Sequence, residues 1–131
     1  MFYLDTNTCI YFLNGRSEKI KNNILTTLPT QIAIPAIVKA ELLLSAYKSK
    51  SKEKTLENIE KFLHPFEIIP FEDQMSYDYA DIRSQLEKKG KVIGPNDLLI
   101  ASITRFHDAI LITNNVDEFS RIPNLKIENW Y

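Results

Sequence analysis

Phe2-Tyr3-Leu4-Asp5-Thr6-Asn7-Thr8 is a three-residue apolar run that stops at a carboxylate and passes into side-chain oxygens suited to capping a helix. Three residues are too few for a helix, so the run reads as a buried strand. Residues 9–13 follow as a short apolar helix, with Gly15 suited to its C-terminal cap. The same alternation continues along the chain. Residues 20–28 read as a helix ended by Pro29, and residues 32–34 as a strand closed by Pro35. Residues 36–48 and 52–63 read as helices, and residues 66–69 as a strand ending at Pro70. Met75, Tyr79, Ile82 and Leu86 form a helical stripe that Gly90 ends. Asn96 and Asp97 are expected to cap a helix running to about His107. Residues 109–112 read as a strand, residues 113–117 as a polar turn, and residues 126–128 as an edge strand. Strands separated by helices predict an α/β fold with a mostly parallel sheet of about five strands and helices on both faces. In such sheets ligands bind beyond the carboxyl ends of the strands.

The chain has 131 residues, 44% of them hydrophobic and 25% charged, which fits one compact domain over residues 1–131. Sixteen basic against seventeen acidic side chains leave a formal charge of −1, which excludes a generally basic nucleic-acid binder but leaves room for local basic patches. No apolar run approaches the roughly 20 residues of a membrane span, and residues 1–10 make a poor signal peptide. A single cysteine, Cys9, cannot pair internally and reads as a small buried apolar residue in a cytoplasmic protein.

Five acidic residues lie at or near the carboxyl ends of these strands. Asp5 ends the first strand. Glu41 lies in the helix after the second strand, among Ile37, Val38, Leu44 and Ser45. Asp97 opens the helix leading into the strand at 109–112, and Asp117 and Glu118 follow that strand. Taken singly, Asp5 and Asp97 read as helix caps, Glu41 as either solvated beside Lys48 or partly desolvated, and Asp117 and Glu118 as turn residues. Together they read differently. Two carboxylates about 4 Å apart at an effective dielectric near 20 repel by roughly 4 kcal/mol, so a converging cluster either takes up protons or holds a cation. All-oxygen donors suit Mg²⁺ or Mn²⁺. His64 and His107 have no ligand-like spacing, which argues against zinc. A phosphoryl-accepting receiver domain is the rival reading. It would carry adjacent acids after its first strand and a lysine after its last, and this sequence has neither.

Longer motifs carry a resemblance. Phe2-Tyr3-Leu4-Asp5-Thr6-Asn7 resembles the opening of PIN-domain proteins, and Ala40-Glu41-Leu42 resembles their second acidic motif. Ile93-Gly94-Pro95-Asn96-Asp97-Leu98-Leu99-Ile100-Ala101 resembles the third. Leu111-Ile112-Thr113-Asn114-Asn115-Val116-Asp117-Glu118-Phe119, with Ile122-Pro123-Asn124-Leu125 and Glu128-Asn129-Trp130, resembles the last section of VapC toxins, the ribonuclease partners of VapB antitoxins.

The resemblance implies a PIN fold and a Mg²⁺-dependent endoribonuclease (Mn²⁺ as substitute). It also implies a homodimer that joins a cognate antitoxin in a hetero-oligomer, meeting DNA only through that antitoxin. Asp5 and Asp97 match the family's principal metal ligands and Glu41 its third acid. Many relatives carry an aspartate where this chain has Asn115, which leaves Asn115, Asp117 or Glu118 as the fourth catalytic group. The Gly-Pro-Asn-Asp and Glu-Asn-Trp motifs resemble the subgroup that cuts initiator tRNA in its anticodon loop. Thr6, Asn7, Thr113 and Asn115 are expected to support the acids. Lys88, Lys89 and Lys91 are the candidate RNA contacts, ahead of Lys48 to Lys54. Tyr11, Phe12, Leu13 and Tyr47 are candidate lining for a partner groove, with core packing the simpler reading of Phe12 and Leu13. Trp130 and Tyr131 are expected either over the sheet edge or exposed.

Overall fold

The computed structural model describes all 131 residues. Five parallel strands form one sheet: β1 (Phe2–Leu4), β2 (Ile32–Pro35), β3 (Glu67–Ile69), β4 (Ile110–Ile112) and β5 (Lys126–Glu128). Their order across the sheet is β3-β2-β1-β4-β5. Seven helices connect them: α1 (Thr6–Leu13), α2 (Glu18–Thr26), α3 (Ala36–Tyr47), α4 (Lys52–Leu63), α5 (Ser76–Lys88), α6 (Pro95–Phe106) and α7 (Val116–Phe119). The expected α/β architecture is therefore present, with the sheet wholly parallel. No helix is long and apolar enough to cross a membrane.

The central strands are short apolar runs because both faces of the sheet are covered. Leu4, Ile32 and Ile34 enter the main core, whereas Tyr3, Ala33 and Ile69 pack on the opposite face with Met75 and Ile103. The edges are polar instead. Glu67 on β3 and Lys126 and Glu128 on β5 are exposed, which discourages further strand pairing.

Several boundaries differ from the sequence reading. Helix α1 starts at Thr6 rather than residue 9, because the Asp5 carboxylate already accepts the Thr8 N–H at 2.9 Å and caps it. Helix α6 starts at Pro95, with Gly94 as its cap. Proline at the first helical position loses no hydrogen bond there. Asn96 and Asp97 therefore lie inside the first turn and are released from the capping role expected of them. The stretch expected as an irregular polar turn contains the one-turn helix α7. Gly90, with φ of 65°, follows the end of α5 as expected of a glycine stop.

The topology fixes where a ligand can bind. The chain leaves β1 for β2 and β3 on one side and returns to β4 and β5 on the other, so the strand order reverses between β1 and β4. Asp5 follows β1 and Thr113 follows β4. The Asp5 N–H and the Thr8 hydroxyl both donate to the Ile112 carbonyl, each at 3.1 Å, which closes that crevice at its floor.

Phe119 anchors α7 beneath the crevice and is 1% exposed. Phe119→Ala should cost about 3–5 kcal/mol through lost burial and a residual cavity. In urea this corresponds to a midpoint lowered by roughly 1.5 M or more. A midpoint within about 0.3 M of the parent would contradict the anchoring role.

Candidate active site

Asp5 is 5% exposed at the β1–α1 junction. Burial raises its pKa and the charge on Glu41 adds to the rise, while Thr113 and Thr8 stabilise the ionised form and pull it back. Its capping role and its place in the acidic cluster are thus one arrangement, not alternatives.

Glu41 is half-buried in α3. The Thr6 hydroxyl donates to its Oε1 at 2.6 Å, and the Asn96 amide reaches its Oε2 at 3.4 Å. Of the two local readings, the solvated one fails. Glu41 faces α1 and α6, held by residues 35 and 55 positions away.

Asp97 sits in the first turn of α6, where the helix dipole favours a negative charge. Its pKa is nevertheless raised to about 6, first by burial and then by the charges of Glu118, Glu41 and Asp5. Four carboxylates from four separate elements therefore meet electrostatically, and no cation is among the groups acting on Asp97.

At the end of β4 it is Glu118, not Asp117, whose charge acts on Asp97. The Asn115 amide donates to Glu118 Oε2 at 2.9 Å, and the Asn115 N–H donates to Thr113 Oγ1 at 2.9 Å. Asp117 is exposed and absent from the charges felt by Asp97. Its backbone carbonyl accepts the Ser120 hydroxyl. The helical turn of α7 brings 115 and 118 to one face and sends 117 to solvent. Asn96 is a site residue that sequence reasoning gave only a capping role. Its position next to Asp97 in one helical turn was the available signal. Asn7 is exposed on the first turn of α1 and makes no side-chain hydrogen bond, so it stands beside the cluster without joining its network. Lys88, Lys89 and Lys91 are exposed at the end of α5 and in the segment leading to α6. Thr113 is fully buried, as its contact with Asp5 requires.

The donors are all oxygens, in excess negative charge and without a basic partner, which fits a hard divalent cation. No three of the acidic, histidine or cysteine side chains stand close enough to enclose an ion between them. The three-acid set expected of Asp5, Glu41 and Asp97 is therefore not a closed set of ligands in this structure, and an ion here would be held through one or two carboxylates and water.

The raised Asp97 pKa has a consequence for stability. Between its ordinary value of 3.8 and about 6, the folded protein binds more protons than the unfolded chain. Stability then falls as pH rises across that window, and the deficit is complete above it. The displacement corresponds to at most about 3 kcal/mol, reduced by solvent screening at a half-buried group. In cation-free buffer, Asp97→Asn should raise Tm by several degrees at pH 7.5 and leave it nearly unchanged at pH 4. An equal shift at both pH values would contradict the cluster.

In sequence and fold the chain is similar to known proteins. The PIN domain family signature matches residues 2–125. The chain is 45% identical to Ribonuclease VapC2 of Rickettsia felis, covering 99% of this chain and 98% of that protein. It is 35% identical to the tRNA(fMet)-specific endonuclease VapC of Salmonella typhimurium, covering 98% and 97%. The crystal structure of VapBC2 from Rickettsia felis bound to a promoter DNA fragment superposes with a TM-score of 0.93 over the whole of both chains. DNA-bound VapBC from Salmonella typhimurium gives 0.93 at 34% identity, covering 99% of this chain and 98% of that one. The domain match, the fold and the whole-length likeness agree: the chain belongs to the PIN-domain family, among the VapC ribonucleases.

Proposed function

We propose that this chain is the toxin of a type II toxin–antitoxin pair, a Mg²⁺-dependent endoribonuclease that cuts tRNA, with the initiator tRNA anticodon loop as its substrate. The observation that carries the reading is the meeting of Asp5, Glu41, Asp97 and Glu118 with no counter-charge. The choice of tRNA draws on the Salmonella relative named for tRNA(fMet).

Asp5 and Asp97 would hold the ion directly and Glu41 through water. When bound, it supplies Lewis-acid polarisation of the phosphodiester and charge compensation at the leaving oxygen. The residues do the rest. Thr113 and Thr8 favour the ionised form of Asp5 against its burial, and Thr6 fixes Glu41 Oε1. Glu41 Oε2, more loosely held by Asn96, orients the attacking water and accepts its proton. Asn115 holds Glu118 at the rim of the crevice. Water rather than the RNA 2′-hydroxyl is then the nucleophile, so the products carry 5′-phosphate and 3′-hydroxyl ends.

The antitoxin has a candidate seat. Phe12 and Leu13, with Ile10, Leu42 and Ile59, line an open groove of about 410 Å³ between α1, α3 and α4. An amphipathic helix or strand of a partner suits such a surface. Tyr47, also considered for that role, instead stacks with Lys52, whose Nζ lies 3.9 Å from its ring centre.

Asp97→Asn should abolish Mg²⁺-dependent cleavage of initiator tRNA while the protein stays folded, and EDTA should do the same to the parent. Cleavage at the parent rate, or cyclic-phosphate product ends, would overturn the mechanism. Replacing Lys88, Lys89 and Lys91 by glutamine should weaken RNA binding and flatten its log–log salt dependence by about 0.7 per lost phosphate contact. An unchanged slope would remove these lysines from the RNA interface.

A further inference from the structure

We infer that Tyr11 and Tyr131 form a stacking platform for an unpaired nucleobase beside the carboxylate cluster, with the Asn114 amide contacting the base edge. The inference rests on the ribonuclease reading above.

Helix α1 starts at the crevice and runs back along the sheet, and it has two flanks. One carries Thr6 to Glu41. The other carries Tyr11, whose ring meets that of Tyr131 edge-on, with centroids 5.0 Å apart and planes at 68°. Tyr11 lies six residues beyond Asp5, about 9 Å along the helix axis. The tie between Tyr131 and the crevice is the hydrogen-bonded path through Asn129 and Asn114, so the base concerned lies one or two nucleotides from the scissile bond. The Arg16 guanidinium lies over the Tyr11 ring, 5.6 Å from its centre, so the ring offered to a base is that of Tyr131, backed by Tyr11, and Arg16 adds a positive charge for a flanking phosphate.

The last residues are tied to the active-site end of β4 by a chain of hydrogen bonds. Asn114 directly follows Thr113. The Asn129 amide donates to Asn114 Oδ1 at 3.2 Å, and the Tyr131 N–H donates to Asn129 Oδ1 at 2.9 Å. Trp130 is buried against Phe2, with ring centroids 5.2 Å apart, and holds the segment down. Its anchoring leaves Tyr131 little packing work, and Tyr131 is 45% exposed. An exposed ring held in a fixed place at the edge of a nuclease crevice has the properties that single-stranded RNA recognition uses. Unstacked bases lie on aromatic faces or guanidinium planes and are read at their edges. Asn114 is exposed, and its NH₂ group makes no hydrogen bond within the protein, so it is free to donate to a base carbonyl or ring nitrogen.

The test uses the cleavage-deficient Asp97→Asn protein and a fluorescein-labelled anticodon stem-loop of initiator tRNA. Adding Tyr131→Ala should weaken binding about tenfold, the order a lost base–aromatic stack gives. Tyr131→Phe should restore it. In the catalytic parent, Tyr131→Ala should raise KM with little change in kcat. Abasic substitution of one loop nucleotide should weaken binding by a similar factor and add nothing further in the Tyr131→Ala protein. That lack of additivity separates stacking from a structural role, which would lower Tm and leave the abasic effect intact. RNA cleavage by the parent, with binding indifferent to Tyr131→Ala and Tyr11→Ala, overturns the platform and spares the ribonuclease reading. A parent that neither binds nor cuts RNA overturns both.

Discussion

Repulsion among carboxylates is the constraint around which this crevice is arranged. Asp5, Glu41, Asp97 and Glu118 come from the end of a strand and from three helices, and burial together with the charges of the other three raises the Asp97 pKa to about 6. Such a concentration of charge is unfavourable in a protein whose net stability is on the order of 10 kcal/mol. It persists because the parallel sheet and its helices over-determine the positions. The two cores on either face leave little freedom at the ends of β1 and β4.

Neutral hydrogen-bond donors partly offset the repulsion. Thr6 and Asn96 serve Glu41, Thr8 and Thr113 serve Asp5, and Asn115 serves Glu118. These groups fix the carboxylates without cancelling their charge, as arginine or lysine would. The field stays available for a divalent ion, which is the property a phosphodiester-cleaving site needs. The basic residues that form ion pairs, Lys61, Arg83, Arg105 and Lys126, pair with other acids instead. Arg105 is an example, binding Asp78 at 2.7 Å and Asp81 at 2.9 Å and clamping α5 to α6.

Much of this was readable in the amino-acid order, for identifiable reasons. Residues 52–63 announce their helix through periodicity, and α4 has those bounds. Asp5 is marked by the abrupt end of an apolar run. What could not be read depends on distant partners or on very short elements. Nothing near Glu41 indicates that Thr6 lies against it, because that contact is set by helix packing. Glu118 cannot be chosen over Asp117 unless the four residues of α7 are known to be helical, since only the turn separates their directions. The start of α6 was misplaced because Asn96 and Asp97 are good caps, while the fixed φ of Pro95 already set the first helical position. In each case a local preference gave way to a neighbour or a tertiary contact.

The most direct test is the carboxyl titration of Asp97, followed by carbon-13 NMR in cation-free protein. A midpoint at about 6 is expected, falling towards the ordinary aspartate range when Glu118 is changed to Gln, and falling in the parent on addition of Mg²⁺. A midpoint near 3.8 from the outset, indifferent to Glu118→Gln and to Mg²⁺, would show that the acids do not share a pocket.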